Sequence, residues 1–371
     1  MIIYILFMKK SKMIILSFDS LSGEDFEFMK TLPAFAEFFE NAAICTNVSS
    51  VYPSLTYPAH ASIVTGKHPE EHGIIDNTLF QPNRMESPDW FWQRKFIKAE
   101  TIYDLAIEKG MKVGAFLWPT TGKSKIQYNV PEVLPNRFWD NQIFASLRNG
   151  SPLFQLELLR HFGHILDGIK QPALDDFVTE CVIHTIKTKA PEMILAHFTD
   201  LDTARHKFGV FSEEAYEAIR RLERRFDKMV GMLRATSLPS IIILGDHAQI
   251  DVKKEIDLNK ILTNAVAKSC GGSAYIYVKP EFEAETEKQL KQIDGVEWIL
   301  PKPFGFMAEA VEGVTFNHSL KADHGYHPDK PRYKTFFAAA GPEIKKRTIE
   351  QMSLVDIAPF IAEVMGLKFH V

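Results

Sequence analysis

Three aspartates, three histidines and one threonine recur along the chain at positions where they could do chemistry together. Asp19 closes the apolar run Met13 to Phe18. Asp202 and His206 follow the run Met193 to Phe198 and stand four apart, as neighbours on one helical turn would. Asp246 and His247 follow Ile241 to Leu244, and His324 lies in the loop KADHGYHP at 321–328. Mixed carboxylate and imidazole donors suit zinc first, then manganese or iron. The set is too large for one tetrahedral ion and about right for two. Two divalent ions roughly 4 Å apart can stabilise both the attacking and the leaving oxygen of an in-line displacement. Each residue alone has a plain structural reading, as a turn, a cap or a hydrogen-bonded loop histidine. Their joint occurrence at strand ends argues for a common centre.

The threonine is Thr56, in the stretch Val51 to Asn77, VYPSLTYPAHASIVTGKHPEEHGIIDN. It stands between Pro53 and Pro58, ahead of a helix-compatible run that stops at Gly66. Proline near the first helical position and glycine after the last are the usual helix punctuation. Thr56 is therefore expected at a helix N-terminus, where unsatisfied N–H groups favour an anion. A hydroxyl held there can attack phosphorus or sulfur once its proton is removed. No Ser-His-Asp arrangement is visible nearby, so a bound cation is the expected activator. His60, His68 and His72 read as loop-holding residues rather than ligands. His327 is a weaker extra candidate. Asp200 competes with Asp202, which the spacing to His206 favours.

The elements that must position these residues alternate. Strands are expected at Met13 to Phe18, Val113 to Leu117, Met193 to Phe198, Ile241 to Leu244 and Thr335 to Ala340. Helices are expected at Leu32 to Ala43, Pro58 to Thr65, Thr101 to Lys109, Leu153 to His161, Ser212 to Leu233 and Ser353 to Met365. Such alternation implies a mostly parallel sheet with helices on both faces, an α/β architecture. Ligands then gather beyond the carboxyl ends of the strands. The pattern changes near 272–315, where strand, charged helix and strand suggest a small α+β insertion within one catalytic domain spanning 11–371. Residues 120–185 read as a variable connection near the site. Phe80, Trp90 and Trp92 could wall a pocket or simply pack.

With 371 residues, 46% of them hydrophobic, the chain can bury a large core. A net charge of -4 gives no footprint for duplex nucleic acid. Cys45, Cys181 and Cys270 form no metal or disulfide pattern. No run approaches the length of a membrane span. The opening MIIYILFM lacks the basic start and cleavage site of a signal peptide, so a cytoplasmic protein is expected.

SFDS (17–20), YPSLTYPAHASIVTGKHPEEHGIIDN (52–77), DTARHKFG (202–209), GDH (245–247), DHGY (323–326) and VDIAPFIAEVMGL (355–367) together resemble the alkaline phosphatase superfamily. They are most similar to its type I phosphodiesterase/nucleotide pyrophosphatase branch. The resemblance implies an alkaline-phosphatase-like fold and two zinc ions. One would be held by Asp19, Asp246 and His247 with Thr56 beside it, the other by Asp202, His206 and His324. It implies that Asn77, with the N–H of the nucleophile, binds a phosphate oxygen. It implies double displacement through a phospho-threonine and a small phosphate ester or nucleotide as substrate. Tyr57 sits where the family places an aromatic that stacks on a nucleobase. His197 replaces a tyrosine of that pocket in nucleotide-cleaving members. GDHAQ replaces the more usual Gly-Met ending after the ligands. A phosphomonoesterase, phosphonate hydrolase or sulfatase of the same superfamily, or a non-catalytic metal- or phosphate-binding module, are the alternatives.

Overall fold

Side-chain alternation decides how the chain layers. In β1 (Met13–Phe18), Ile14, Leu16 and Phe18 face one way and Met13 and Ile15 the other, and both sets are buried. A strand apolar on both faces is stable only inside a sheet covered on both sides. The computed structural model, which describes residues 12–85, 87–137, 140–233 and 239–369, places β1 there. The reading of the opening MIIYILFM lies outside the described residues. Among the described residues, no helix is long and apolar enough to cross a membrane.

The main sheet runs in the order Arg347–Thr348, β2 (Ala43–Ser49), Thr335–Ala340, β6 (Ser240–Leu244), β1, β5 (Met193–Phe198), β3 (Val113–Phe116) and β4 (Tyr128–Val130). From β6 to β4 the strands are parallel, with Met13 opposite both Met193 and Ser240. Thr335–Ala340 is antiparallel to both its neighbours. Parallel neighbours need long crossovers, so five adjacent strands finish at one edge. The helices Pro33–Phe39, Ala173–Thr188 and Glu213–Leu233 cover one face around Phe18, Phe35 and Phe226. Thr56–Thr65, Ile102–Glu108 and Ile357–Met365 cover the other. A second, antiparallel sheet takes Val296–Lys302, Gly305–Ala310, Ser273–Val278 and Ala265–Ser269, packed on the helix Glu283–Gln292 through Leu290.

Some elements differ from the expectation. The first helix stops at Phe39, and Ala43 already opens β2. Only Ala43, Cys45 and Val48 of β2 are fully buried, so its apolar pattern is too broken to read. The stretch 120–185 holds β4 and three helices, Gln142–Asn149, Pro152–Phe162 and Ala173–Thr188. The third helix was hidden because it buries the polar Asp175, Thr179 and Thr185 along with its apolar face. The final helix begins at Ile357, after a tight turn at Leu354–Asp356 in which Asp356 accepts from the Ser353 N–H.

Asp175 is buried because an arginine comes to meet it. Arg225, on Glu213–Leu233, lies 2.9 Å from Asp200 and 3.6 Å from Asp175, and its Nε donates to Asp176. This knot ties three helices beneath the site. Replacing Arg225 by Ala leaves Asp175 buried with only neutral donors. Breaking such a pair costs about 3 kcal/mol or more. Urea unfolding of Arg225→Ala checks this; a loss below about 0.5 kcal/mol would show that the knot adds little.

Candidate active site

The parallel strands deliver their C-terminal residues to one place. Asp19 follows β1, and Asp246 and His247 follow β6. β5 leads into the helix Asp200–Phe208, which carries Asp202 and His206 on one turn, 3.3 Å apart. Beyond β6, Ile250–Asp251 pairs with Ala322–Asp323, and this brings His324 back to the same edge. His206 Nδ1 lies 2.8 Å from the Ala322 carbonyl, which fixes its ring. His247 Nε2 is 3.3 Å from Asp19 Oδ1, 3.4 Å from Asp246 Oδ2 and 3.3 Å from the Thr56 hydroxyl. The rings of His247 and His324 stack at 4.1 Å. All seven residues singled out in the sequence thus lie around one centre.

Their ligand atoms form two open groups: Asp202, His206 and His324, and Asp19, Asp202 and His247. Asp246 falls instead into a group with His60 and His197. The ring nitrogens of those two histidines are already engaged. His60 reaches the Thr56 carbonyl and Ser17 Oγ, and His197 reaches Glu132 and Asp19. Asp19 Oδ1, Asp246 Oδ2, His247 Nδ1 and His324 Nδ1, by contrast, are buried without a hydrogen-bond partner. Buried polar atoms are ordinarily paired. Unpaired atoms concentrated in this set, with the donor chemistry of zinc sites, fit bound cations.

The charges point the same way. Burial pushes Asp19 up to about 7, and Asp202 and Asp246 push in the same direction. Burial likewise raises Asp246 to about 7. Burial opposes the charged form of Asp202, but His206 outweighs it and holds that carboxylate below its usual range. Burial opposes charge on His206 too, yet Asp202 lifts it to about 10. Burial lowers His247, and lowers His324 well below the usual imidazole range. The neutral imidazoles of His247 and His324 and the crowded carboxylates are what a divalent cation requires, and such a cation would take the place of the proton that Asp202 holds on His206.

Several neighbours were missed in the sequence. His197 was expected in the substrate pocket, but it is fully buried beneath the site. It stands at the inward-facing end of β5, 3.1 Å from Asp19 and 2.9 Å from Glu132. It therefore braces Asp19 from behind and does not line the cavity. Gln249, at the unusual end of GDHAQ, donates to Asp202 Oδ1 at 2.5 Å. Arg205 donates to the Ser20 carbonyl and to Asp25, and so holds the turn after Asp19. Glu132 had no sequence signal, whereas the departure in GDHAQ pointed at Gln249. Asp200 is occupied by Arg221 and Arg225, away from the centre. His327 packs on Tyr52 and Trp298. His72 meets Ser62 and the Ile74 N–H, and His68 precedes a short helix, with Glu71 accepting from its N–H.

Thr56 is the first residue of its helix, two positions earlier than expected, with Leu55 extended before it. Gly66 ends the helix in the left-handed conformation, at φ 61°. Asn77 Oδ1 accepts from the Tyr57 N–H at 2.9 Å, which leaves its amide N–H groups for a ligand beside Thr56. The loop carrying Asn77 is pinned from the second sheet. Buried Lys268 pairs with Asp76 at 2.7 Å, and the Tyr275 hydroxyl donates to the Ile75 carbonyl.

A cavity of about 420 Å³ opens from this centre, lined by Asp19, Thr56, Asn77, Asp202, His206 and His324 at one end. Tyr57 and Trp90 line it together, ring centroids 5.3 Å apart. Phe80 instead stacks on Tyr277 of the second sheet, and Trp92 packs in a satellite cluster with Phe91 and Ile97.

A model of the family "Type I phosphodiesterase / nucleotide pyrophosphatase" matches residues 13–303, and the chain belongs to that family. Ectonucleotide pyrophosphatase/phosphodiesterase family member 1 of Homo sapiens is 28% identical over 262 residues, 66% of this chain and 24% of that protein. Ectonucleotide pyrophosphatase/phosphodiesterase C27A7.1 of Caenorhabditis elegans is 27% identical, covering 91% of this chain and 41% of that one. The chain thus spans less than half the length of these two relatives. Bis(5'-adenosyl)-triphosphatase ENPP4 of Bos taurus is 24% identical, covering 97% of this chain and 79% of that protein. Human ectonucleotide pyrophosphatase/phosphodiesterase 5 shares the fold, with a TM-score of 0.75 at 20% identity over 97% of this chain and 96% of that chain. An inactive threonine-to-alanine form of the murine protein, in complex with AMP, has a TM-score of 0.74 at 20% identity, covering 98% of this chain and 96% of that chain. The family is metal-dependent, and the two open groups are where ions could bind.

Metal loading is readable without turnover. Adding zinc to chelator-treated protein should stabilise it by about 2.7 kcal/mol per site at a hundredfold excess over Kd, read as a rise in its thermal midpoint. The gain should widen from pH 6 to pH 8. Asp19 and Asp246 carry raised pKa values when metal-free, so their folding contribution is fullest at low pH and falls as pH rises towards 7. Protons also leave those carboxylates free for the cation over the same range. A gain that shrinks with rising pH would contradict this assignment.

Proposed function

We propose that the chain is a metal-dependent hydrolase of phosphate esters, working best on phosphodiesters, with Thr56 as nucleophile. The observation carrying this reading is the Thr56 hydroxyl at a helix N-terminus, 3.3 Å from His247 and beside both open ligand groups. Asp202, His206 and His324 would hold one ion, and Asp19, Asp246 and His247 the other. Zinc suits the donors best, with manganese or iron as substitutes. When bound, such ions lower the hydroxyl pKa and neutralise charge on the phosphate.

Thr56 Oγ1 gives up its proton and bonds to phosphorus as one ester oxygen departs and takes up a proton, leaving the other ester group on the phospho-threonine. Water then adds its oxygen to phosphorus and returns a proton to Oγ1, releasing the phosphomonoester and restoring the hydroxyl. Asn77 donates to a non-bridging oxygen, where charge builds up in the transition state. His197 and Gln249 hold Asp19 and Asp202 in place. The AMP bound to the murine neighbour and the names of the relatives support a phosphorylated substrate. A diester is favoured over a monoester because no lysine or arginine lines the cavity among the described residues. A dianionic monoester would need such a charge.

Thr56→Ala should lower turnover of a nitrophenyl phosphodiester by about a thousandfold or more, with zinc-dependent stabilisation retained. Asn77→Ala should lower kcat by roughly a hundredfold with little change in KM. Undiminished turnover by Thr56→Ala removes the nucleophile from this reading.

A further inference from the structure

Thr56 and His324 reach the site on two loops that lie far apart in the chain. The segment 52–56 brings Thr56 to its helix N-terminus, and the segment 322–330 brings His324 to the same edge. The two loops meet at Ser54. Its carbonyl accepts from the Gly325 N–H at 3.0 Å, and its hydroxyl donates to the Tyr326 carbonyl. Two residues further along each loop stand Tyr52 and His327, and both bond to one carboxylate. Glu309 Oε2 accepts from the Tyr52 hydroxyl at 3.1 Å, and Oε1 from the His327 N–H at 2.8 Å.

Glu309 belongs to neither loop. It sits on the strand Gly305–Ala310 of the second sheet and is fully buried. The strand beside it adds two holds on the His324 loop: Ser273 Oγ donates to the Gly325 carbonyl at 2.6 Å, and the Gly272 N–H to the His324 carbonyl at 2.7 Å. Burial pushes the Glu309 carboxyl up to about 7, against the pull of the His327 N–H and of Lys330, 3.6 Å away. Lys330 is itself committed to Glu297 and to the Ala310 carbonyl. A leucine or methionine would fill this space without the cost of burying a carboxylate. Neither could join the two loops.

We propose that Glu309 is a positioning residue for the reaction, which through Tyr52 and the His327 N–H sets where the Thr56 hydroxyl stands relative to His324. The inference rests on the phosphodiesterase reading for the reaction that this geometry serves. Glu309 does not line the cavity, so it acts only through the two loops. Its influence on metal binding falls on one donor group, that of Asp202, His206 and His324.

The test compares Glu309→Ala, Glu309→Gln and Tyr52→Phe in the full chain, at a temperature where each stays folded. Kinetics use a nitrophenyl phosphodiester, and chelator-treated protein is titrated calorimetrically with zinc. Glu309→Ala should lower kcat by about tenfold or more with KM changed by less than about twofold, and should weaken one of two zinc sites by a similar factor. Glu309→Gln keeps an acceptor for the His327 N–H and a partner for the Tyr52 hydroxyl, and should recover most of both losses. Tyr52→Phe should lower kcat by about threefold to tenfold. Adding it to Glu309→Ala should cost little more, because both break one link. If Glu309→Ala does not fold, Tyr52→Phe, which deletes a single oxygen, decides alone, and an unchanged kcat overturns the proposal. Unchanged kcat and zinc binding in Glu309→Ala, with Thr56-dependent turnover intact in the parent, overturns the positioning role and leaves the phosphodiesterase reading standing. Losses that Glu309→Gln shares in full, or that simply add to those of Tyr52→Phe, overturn it too. A zinc site weakened in Glu309→Ala and restored in Glu309→Gln, in a protein that hydrolyses no diester, keeps the bridge between the loops and overturns that reading.

Discussion

Two buried carboxylates and a half-buried third crowd into one spot, and the rest of the molecule is arranged around that repulsion. Asp19, Asp202 and Asp246 sit at the edge where β1, β5 and β6 finish together. Two of them are driven toward protonation by burial, which outweighs the pull of His197 and His247, whereas at Asp202 the partner His206 outweighs burial. No fold would tolerate this for stability alone. A centre of positive charge resolves it, and the neutral imidazoles of His247 and His324 complete the donors it would need. The parallel sheet supplies the geometry, since only parallel neighbours bring several strand ends to one line.

That line has a gradient. From β6 through β1 to β5, the strand ends carry acids and histidines. From β3 to β4 they carry Leu117, Val130 and Val133. The polar end suits a phosphate and the apolar end does not. The boundary falls at Glu132, which faces the cavity yet spends its charge on His197. One edge of one sheet thus combines a charged reaction centre with a hydrocarbon-lined recess.

Much of this was legible in the sequence, for physical reasons. β1, β5 and β6 are short apolar runs closed by acids, and few other structures write that pattern. The amphipathic stripe of Glu213–Leu233 and the proline and glycine around Thr56 were equally plain. The rest was hidden because its logic is three-dimensional. His197 has a position in the chain that suggests a pocket, but the pleat of β5 turns it inward. Only the spacing to His206 favours Asp202 over Asp200 in the sequence, and the structure shows why the choice matters, since Arg221 and Arg225 claim Asp200. β2 and Ala173–Thr188 bury polar residues among apolar ones, which blurs their period. The apolar side of the cavity is lined by three helices, Gln142–Asn149, Pro152–Phe162 and Ala173–Thr188, of which only Pro152–Phe162 was foreseen, and so it had no signature.

Lys268 and Asp76 stand 192 residues apart and meet with almost no water between them. Sliding the smaller sheet against the larger one would strand both charges, a cost of several kcal/mol. The second sheet is therefore tied to the loop of the first unit at the point where Asn77 leaves it. The loop that carries the Asn77 amide is held by a lysine that never approaches that amide. Tolerance to change in the outlying sheet should accordingly end at that lysine.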